Sequence, residues 1–354
     1  MALTFSAFAH CALAHENDPK ITHATDHAPI GVMADHRHSK GELMLSYRYM
    51  HMNMDGSRDG TTSISPEVIA TTVANPFAGQ AGQPPTLRVV PTSMDMDMHM
   101  IGAMYGLTDR ITLLAMGSYI EKSMDHTTFA GGMGTNVLGN FTTQSDGIGD
   151  TTIGAIFGVD DGSNPRHQLN LSLAISLPTG SITQTDQILT PTGATPSPRL
   201  PYPMQIGTGT YDLKPGMTYR DRKGQIGWGG QAMFVIPLNR NSADYRQSTK
   251  TELTAWASYE PKSWVSLSSR VKHRSQASLI GQDALIVAPV QTADPDNQGG
   301  NVTELLFGVN LAGQSGAVKG HRLALEYGIP LARDLNGPQL ETDSMLTLGW
   351  QKVF

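Results

Sequence analysis

The chain has 354 residues, a formal net charge of −6, 39% hydrophobic residues and a single cysteine, Cys11. It holds no apolar run of the roughly 18 residues that a transmembrane helix needs. The acidic balance argues against nucleic acid as a partner, and a lone cysteine excludes a disulfide framework or a Cys-based metal site. One or two soluble domains and a single membrane barrel both remain possible folds, because barrel strands are only half apolar.

The amino terminus resembles the end of a secretory signal peptide. Residues 2–14 are apolar and end on Ala12-Leu13-Ala14, a small-x-small cleavage pattern, but no Lys or Arg occurs before Lys20. We interpret residues 1–14 as a truncated signal peptide, the alternative being a disordered apolar tail. Residues 15–40 then form a His-rich segment on the periplasmic side or a short plug inside a barrel, and residues 41–354 form the barrel itself.

Apolar and polar residues alternate along most of the remaining chain, which is the pattern of half-buried strands. Leu169, Leu171 and Leu173 share one face of a strand, while Asn170 and Ser172 share the other. The pattern predicts an all-β fold, a single antiparallel transmembrane β-barrel of about twelve strands. The predicted strands span 41–54, 94–108, 110–124, 147–160, 167–179, 207–221, 224–238, 248–260, 263–276, 301–312, 321–333 and 342–354.

Long and short connections alternate between these strands. Outer-membrane barrels have short periplasmic turns and long extracellular loops, so the alternation favours the bacterial outer membrane over a soluble protein. The long connections lie near 55–93, 125–146, 180–206 and 277–300, and short ones near 108–109, 160–166, 221–223, 261–262 and 313–320.

The last strand ends the chain on an aromatic residue. Leu346, Leu348 and Trp350 alternate with small or polar residues, and the chain stops at Phe354. This ending resembles the closing-strand signal that outer-membrane barrels present to their assembly machinery. Lys352 departs from that signal, since an apolar residue is expected there. The implied partners are outer-membrane lipid and the barrel-assembly machinery.

If the strand positions that carry apolar residues face lipid, the alternate positions on the same strands face the lumen. These inward positions include charges of both signs, so neither a purely anionic nor a purely cationic pore is implied. Two readings stay open: ion pairs that fill and stiffen a narrow barrel, or a polar path for a small solute. The predicted lumen residues are Arg48, Asp212, Lys214, Arg220, Glu252, Arg270, Lys272, Glu304, Arg322 and Glu326.

Methionine is concentrated in the first three predicted strands, with 13 of the 18 Met residues between Met33 and Met133. Thioethers are soft ligands that suit Cu(I) or Ag(I), and they are equally good gap-fillers or contacts for an apolar solute. Six of them are predicted to line one wall of the outer mouth on two neighbouring strands: Met50, Met52, Met54, Met94, Met96 and Met98.

Histidine is concentrated before the first strand. The pattern His36-x-His38 next to Asp35 offers nitrogen and oxygen ligands for Cu(II), Zn(II) or Ni(II), and the alternative is a solvated polar tail. His23, His27, His36 and His38 are the candidate ligands. Copper, as Cu(I) or Cu(II), is the one cofactor that the sequence suggests.

Catalysis has little support in the sequence. A barrel lipase needs Ser, His and an orienting Asn or Asp at the lipid-facing rim. His99 and His126 are predicted near the outer edge, but no serine pairs with either in the pattern. We predict no catalytic residues.

Three segments resemble a known family. They are Gly207 to Tyr219, Met104 to Leu113, and the entry His27 to Met33 followed by Gly41 to Met44. Together they resemble outer-membrane proteins named for the meta-cleavage pathway of phenol degradation and often labelled transporters. The resemblance implies an outer-membrane barrel that passes a small solute, either an aromatic compound or a soft metal ion. The alternative is a non-conducting barrel that binds or senses copper.

Overall fold

The computed structural model describes residues 23–160 and 167–354. The predicted signal peptide, residues 1–14, lies outside the described residues. One α-helix, α1 (Pro66–Thr72), occurs in the described part of the chain, beside 3-10 turns at Ala24–Asp26, Tyr202–Met204, Gln291–Ala293 and Gly316–Val318. The strands are β1 (Leu43–Gly60), β2 (Thr62–Ile64), β3 (Val89–Thr108), β4 (Ile111–Phe129), β5 (Val137–Ile148), β6 (Thr151–Gly158), β7 (Gln168–Leu177), β8 (Asp212–Lys223), β9 (Ile226–Pro237), β10 (Tyr245–Arg246), β11 (Lys250–Lys262), β12 (Val265–Gln276), β13 (Ile280–Gly281), β14 (Gly300–Ala312) and β15 (His321–Val353).

Most of these strands form one closed antiparallel barrel. The hydrogen-bonded order is β15-β14-β12-β11-β9-β8-β7-β6-β4-β3-β1, and β15 also pairs with β1, which closes the ring. β2 and β5 pair with the outer parts of β1 and β4, while β10 and β13 form a separate two-stranded sheet. The predicted class, an all-β antiparallel barrel, is confirmed. Within the described residues, no helix has the length and apolar character to cross a membrane.

β15 is a long element whose two halves run in opposite directions. Arg322 to Leu335 pair with β14, whereas Leu335 to Val353 pair with β1. Gly337 lies near the bend with a φ of +74°, a conformation that favours glycine. The ring therefore contains eleven strand elements, and the predicted count of twelve agrees with it only if the two halves of β15 are counted separately.

The strands extend further than predicted at one end of the barrel. β1 continues to Gly60 and β4 to Phe129, and the predicted loop 125–146 is largely strand because β5 pairs with β4. The prediction of a loop was wrong because β-branched and polar residues also form strands outside the membrane. Such strands lack the alternation of apolar and polar residues that contact with lipid requires. The end of the barrel at which these strands extend is called the long-loop end, because it also carries the connection 178–211. The opposite end, called the short-turn end, carries the turns 109–110, 224–225 and 263–264.

The outer surface shows where the lipid-facing belt ends. Apolar side chains such as Ile101, 70% exposed, cover the outside of the barrel. Towards the long-loop end this belt stops at tyrosines whose hydroxyls donate to carboxylates, Tyr49 to Asp97 and Tyr119 to Asp146. Aromatic residues of this kind mark the membrane–water interface of barrels. The strands therefore continue beyond the lipid belt into water at the long-loop end.

Candidate solute path and its plug

Residues 23–42, which we call the plug, precede β1, and most of them lie inside the barrel. The Thr25 hydroxyl donates to Glu260 on β11 at 2.7 Å, and the Gly31 amide donates to Glu326 on β15 at 3.1 Å. The His38 amide donates to Thr112 on β4 at 2.9 Å. These anchors belong to different parts of the wall, so the plug crosses the lumen from one side to the other.

Glycines in the wall leave room for the plug. A Cβ on Gly158 would lie 1.4 Å from the Arg37 guanidinium, and one on Gly349 would lie 2.5 Å from the Ile30 side chain. Any larger residue at Gly158 would displace Arg37, which is bound to Asp160 at 2.8 Å. Inward-facing glycines therefore accommodate the plug, but they can be recognised only once the strand register is known.

One side of the interior, which we call the charged wall, consists of Arg270, Lys272, Glu304, Arg322 and Glu326 on β12, β14 and β15. Arg270 makes two hydrogen bonds to Glu326, at 2.8 and 2.6 Å, and Lys272 lies 2.6 Å from Glu304. Arg322 donates to the plug carbonyl of Ala28 and to Asn310. The charges pair with each other and with the plug, which favours the filling and stiffening role.

The other predicted lumen charges are also shielded from bulk water. Asp212 is buried and accepts from Thr210, while Lys214 donates to Thr152 at 2.9 Å. Arg220 donates to Gln168 at 3.2 Å. The remaining two are half-buried: Arg48 beside a cavity described below, and Glu252 opposite Arg274 in the strand register.

The six predicted methionines lie on neighbouring strands in matching register. Met50 pairs with Met98, Met52 with Met96, and Met54 with Met94 between β1 and β3. Met52, Met54, Met94 and Met96 line a cavity of about 370 Å³ on the long-loop side, which we call the upper cavity. Their shared placement follows the predicted pairing, and their binding of metal stays a prediction.

A second space, which we call the methionine cavity, lies between the plug and the wall and has a volume of about 160 Å³. Arg48 and Lys214 are among the lining residues, but the lining is mainly apolar. An engineered cavity of about 150 Å³ in another protein holds a benzene molecule, so the space fits one small apolar solute. Its methionines are Met33, Met44, Met100, Met104, Met116 and Met233.

At the long-loop end, loops fold over the mouth of the barrel. Lys122 on β4 donates to the carbonyls of Pro203 and Gln205 at 2.7 and 2.6 Å, which draws the connection 178–211 inwards. Further apolar residues from four separate loops and strand ends pack into one buried cluster, which we call the cap. Its members are Phe77, Val89, Tyr202, Tyr245, Leu279, Ile286, Val290 and Ala293.

Arg88, beside the cap, was missed by the sequence analysis. Its side chain is 0% exposed, and its guanidinium donates only to backbone carbonyls. One acceptor is Ala70 in α1; the other four lie in the β4–β5 turn. They are Ala130, Gly131, Met133 and Gly134, at 2.8 to 3.3 Å.

The plug gathers three of the four predicted histidine ligands. The His27 and His36 ring centroids are 4.6 Å apart, and those of His36 and His38 are 4.9 Å apart. His23 lies apart from this group, where its ring bonds Glu260 at 2.6 Å. Burial lowers the pKa of His27 and of His36 below the ordinary imidazole value, so that neutral rings are favoured.

Neither histidine predicted near the outer edge forms a catalytic arrangement. His99 lies on the exposed surface, where it bonds Tyr47 at 2.7 Å, and His126 is buried with its ring stacked 4.6 Å from that of Phe141. No hydrogen bond between a serine and either ring occurs in the described part of the chain.

One of the solved structures that the chain is similar to shares this fold. An outer-membrane channel from Pseudomonas putida F1 matches with a TM-score of 0.56 at 15% identity, over 91% of this chain and 99% of that chain. The toluene transporter TbuX of Ralstonia pickettii matches with a TM-score of 0.46 at 11% identity, over 93% and 94% of the two chains. The P. putida toluene transporter TodX matches at 0.44 and 10%, over 90% and 91%.

No family model and no curated protein sequence matches the chain. The resemblance to the phenol-degradation family therefore stays a prediction. The closed ring, the apolar outer belt and the fold shared with the P. putida channel identify an outer-membrane β-barrel.

Proposed function

We propose that the chain is an outer-membrane channel for small apolar solutes of the size of a monocyclic aromatic compound. The methionine cavity carries this proposal, because it is an apolar space of about 160 Å³ inside a barrel whose opposite wall is charged. The fold shared with an outer-membrane channel supports passage as the function. The charged wall binds the plug and does not itself provide the path.

A stripe of methionines connects this cavity to the upper cavity. On β3 the positions 94, 96, 98, 100 and 104 are all Met, interrupted only by Gly102, and Met44, Met50, Met52 and Met54 stand opposite on β1. The flexible, polarisable thioether makes favourable contacts with aromatic rings and adapts to solutes of different shape. A solute that moves along this stripe stays in contact with apolar atoms between the two cavities.

Uptake of radiolabelled toluene by cells that express the protein tests the proposal. Replacing Met44, Met100 and Met104 together with Gln keeps the side-chain length but places amides in the path. Entry of the solute then leaves those amides without partners, and we expect the initial uptake rate to fall by about tenfold or more. The matched Met→Leu triple variant keeps the apolar volume and should retain most of the uptake. Equal uptake by wild type, the Gln variant and cells without the protein would refute the channel.

A second candidate is a non-conducting barrel that binds a soft metal, and the paired methionines of β1 and β3 favour it. Leu replacements at Met50, Met52, Met54, Met94, Met96 and Met98 remove every sulfur there while keeping the apolar volume. Loss of Cu(I) binding by this folded variant, together with no toluene uptake by wild type, would support the copper-binding barrel. Unchanged toluene uptake by it, and no Cu(I) binding by wild type under reducing conditions, would support the channel.

A further inference from the structure

We propose that the plug binds one divalent transition-metal ion, Zn(II) or Cu(II), between His27, Asp35 and His36. Each of the three offers one ligand atom, and these atoms all lie within 4.8 Å of one another. An ion bonded to each at about 2.0–2.2 Å needs ligand atoms roughly 3–4 Å apart, so binding requires the three to draw together by about 1 Å. The inference concerns the plug and is independent of the solute that the barrel passes.

Two imidazole nitrogens at this place have no hydrogen-bond partner. They are Nδ1 of His27 and Nε2 of His36, and both atoms are buried. His36 is only 5% exposed. Buried polar atoms are nearly always bonded, so two unpaired nitrogens on rings in edge contact favour a shared ligand that accepts their lone pairs. A metal ion is such a ligand, because it accepts a lone pair from each ring.

Asp35 orients the pair. Its Oδ1 accepts from Nδ1 of His36 at 2.7 Å, and its Oδ2 accepts from the Ala28 amide at 2.9 Å. With the proton held on Nδ1, the lone pair of His36 lies on Nε2, which is the unpaired atom. A carboxylate that fixes the tautomer of a neighbouring imidazole is the usual support of a metal-binding histidine. The free lone pairs of the carboxylate allow Asp35 to act as a ligand as well.

The surrounding charges select the class of metal. Arg322 binds the Ala28 carbonyl, and the guanidiniums of Arg48 and Arg220 interact electrostatically with Asp35. The three guanidiniums repel any cation, so the ion must be held by the two imidazoles, and Ca²⁺ and Mg²⁺, which depend on several oxygen ligands, are disfavoured. Zn(II) and Cu(II) gain most of their affinity from imidazole nitrogen, and Cu(II) is expected to bind more tightly than Zn(II).

The ion would close the turn between residues 27 and 36 of the plug. The barrel wall already binds the backbone beside His27 and His36. Arg322 donates to the Ala28 carbonyl, and the side-chain amide of Asn170 donates to the Asp35 carbonyl at 3.2 Å. His38, whose Nε2 is also buried and unpaired, is the nearest additional ligand. A bound ion therefore fixes the plug conformation that these wall contacts require.

The test uses the full-length barrel in detergent, stripped with EDTA and then dialysed against ZnCl2 or CuCl2. Elemental analysis should show about one more ion per wild-type chain than per chain of the His27→Ala/His36→Ala variant. The electron paramagnetic resonance spectrum of the Cu(II) protein should show hyperfine coupling to nitrogen that the variant loses. Excess MgCl2 or CaCl2 should not displace the ion. The difference between the two chains is the readout, so ions bound at other histidines do not count.

His273→Ala is the matched control, because His273 bonds Thr303 on the barrel wall at 3.0 Å and lies outside the plug. It should bind as much metal as wild type. A shift in gel mobility on boiling checks that every variant is folded, and His36→Gln serves if the double variant does not assemble. Equal metal content in wild type and a folded plug variant, or a Cu(II) spectrum with oxygen ligands only, would overturn the proposal.

Discussion

The two walls of the barrel interior differ in chemistry although the same plug lies between them. On β12, β14 and β15 the charges are paired at 2.6–2.8 Å and bind the plug backbone. On β1 and β3 the inward side chains are mostly methionine, and cavities remain beside them. The comparison indicates that anchoring and passage are separated: directional bonds hold the plug on one side, and adaptable apolar contacts leave space on the other.

Removal of the plug should have the largest effect on this arrangement. Deletion of residues 23–40 leaves the charged wall without its backbone partners and opens the middle of the barrel. We expect the single-channel conductance in planar bilayers to rise by about tenfold or more, because a small barrel conducts once its interior is not filled. A mobility shift on boiling shows whether the deleted chain still folds. Unchanged conductance of a folded barrel would mean that the cap alone closes the pore.

Breaking one ion pair of the charged wall comes next in expected effect. Arg270→Met leaves Glu326 buried and unpaired, which should cost about 3–5 kcal/mol of barrel stability. The double variant Arg270→Met/Glu326→Leu removes both charges and should recover most of the loss. Unfolding in urea, followed by tryptophan fluorescence, measures both. A single variant as stable as wild type would show that the charged wall does not stabilise the barrel.

The smallest effect is expected on the methionine side. Met100→Leu keeps the apolar volume and should change the free energy of unfolding by less than about 1.5 kcal/mol. The same urea titration measures it. A loss as large as that of Arg270→Met would contradict the difference between the two walls, because it would mean that the methionines are tightly packed structural residues.

The fold could be predicted wherever one face of a strand meets lipid. Leu171 and Leu173 are 44% and 48% exposed, whereas Asn170 and Ser172 between and beside them are buried, as the alternation predicted. The prediction failed for β5 and the outer part of β4, where both faces are outside lipid and Thr and Asn residues replace the apolar ones. Alternation reports contact with lipid, so it is silent about strands beyond the membrane.

The site was predictable in part. The matching of Met52 with Met96 followed from pairing consecutive strands, because a single connection brings them together. The position of the plug could not be predicted in this way, because its anchors are distant in sequence. Thr25 and Glu260, for example, are separated by 235 positions. Such contacts form only when the ring is closed. The inward-facing glycines that make room for them cannot be identified from the sequence until the strand register is known.

Arg88, beside the cap, joins α1 to the β4–β5 turn. Its five carbonyl acceptors belong to α1 and to the β4–β5 turn. These two segments are far apart in the chain, since Ala70 and Ala130 are separated by 60 positions. If either segment moved away, the buried guanidinium would lose hydrogen bonds that water could not easily replace among the surrounding apolar side chains, and this would cost free energy. The two segments are therefore expected to open and close together, as one cooperative unit at the surface of the cell.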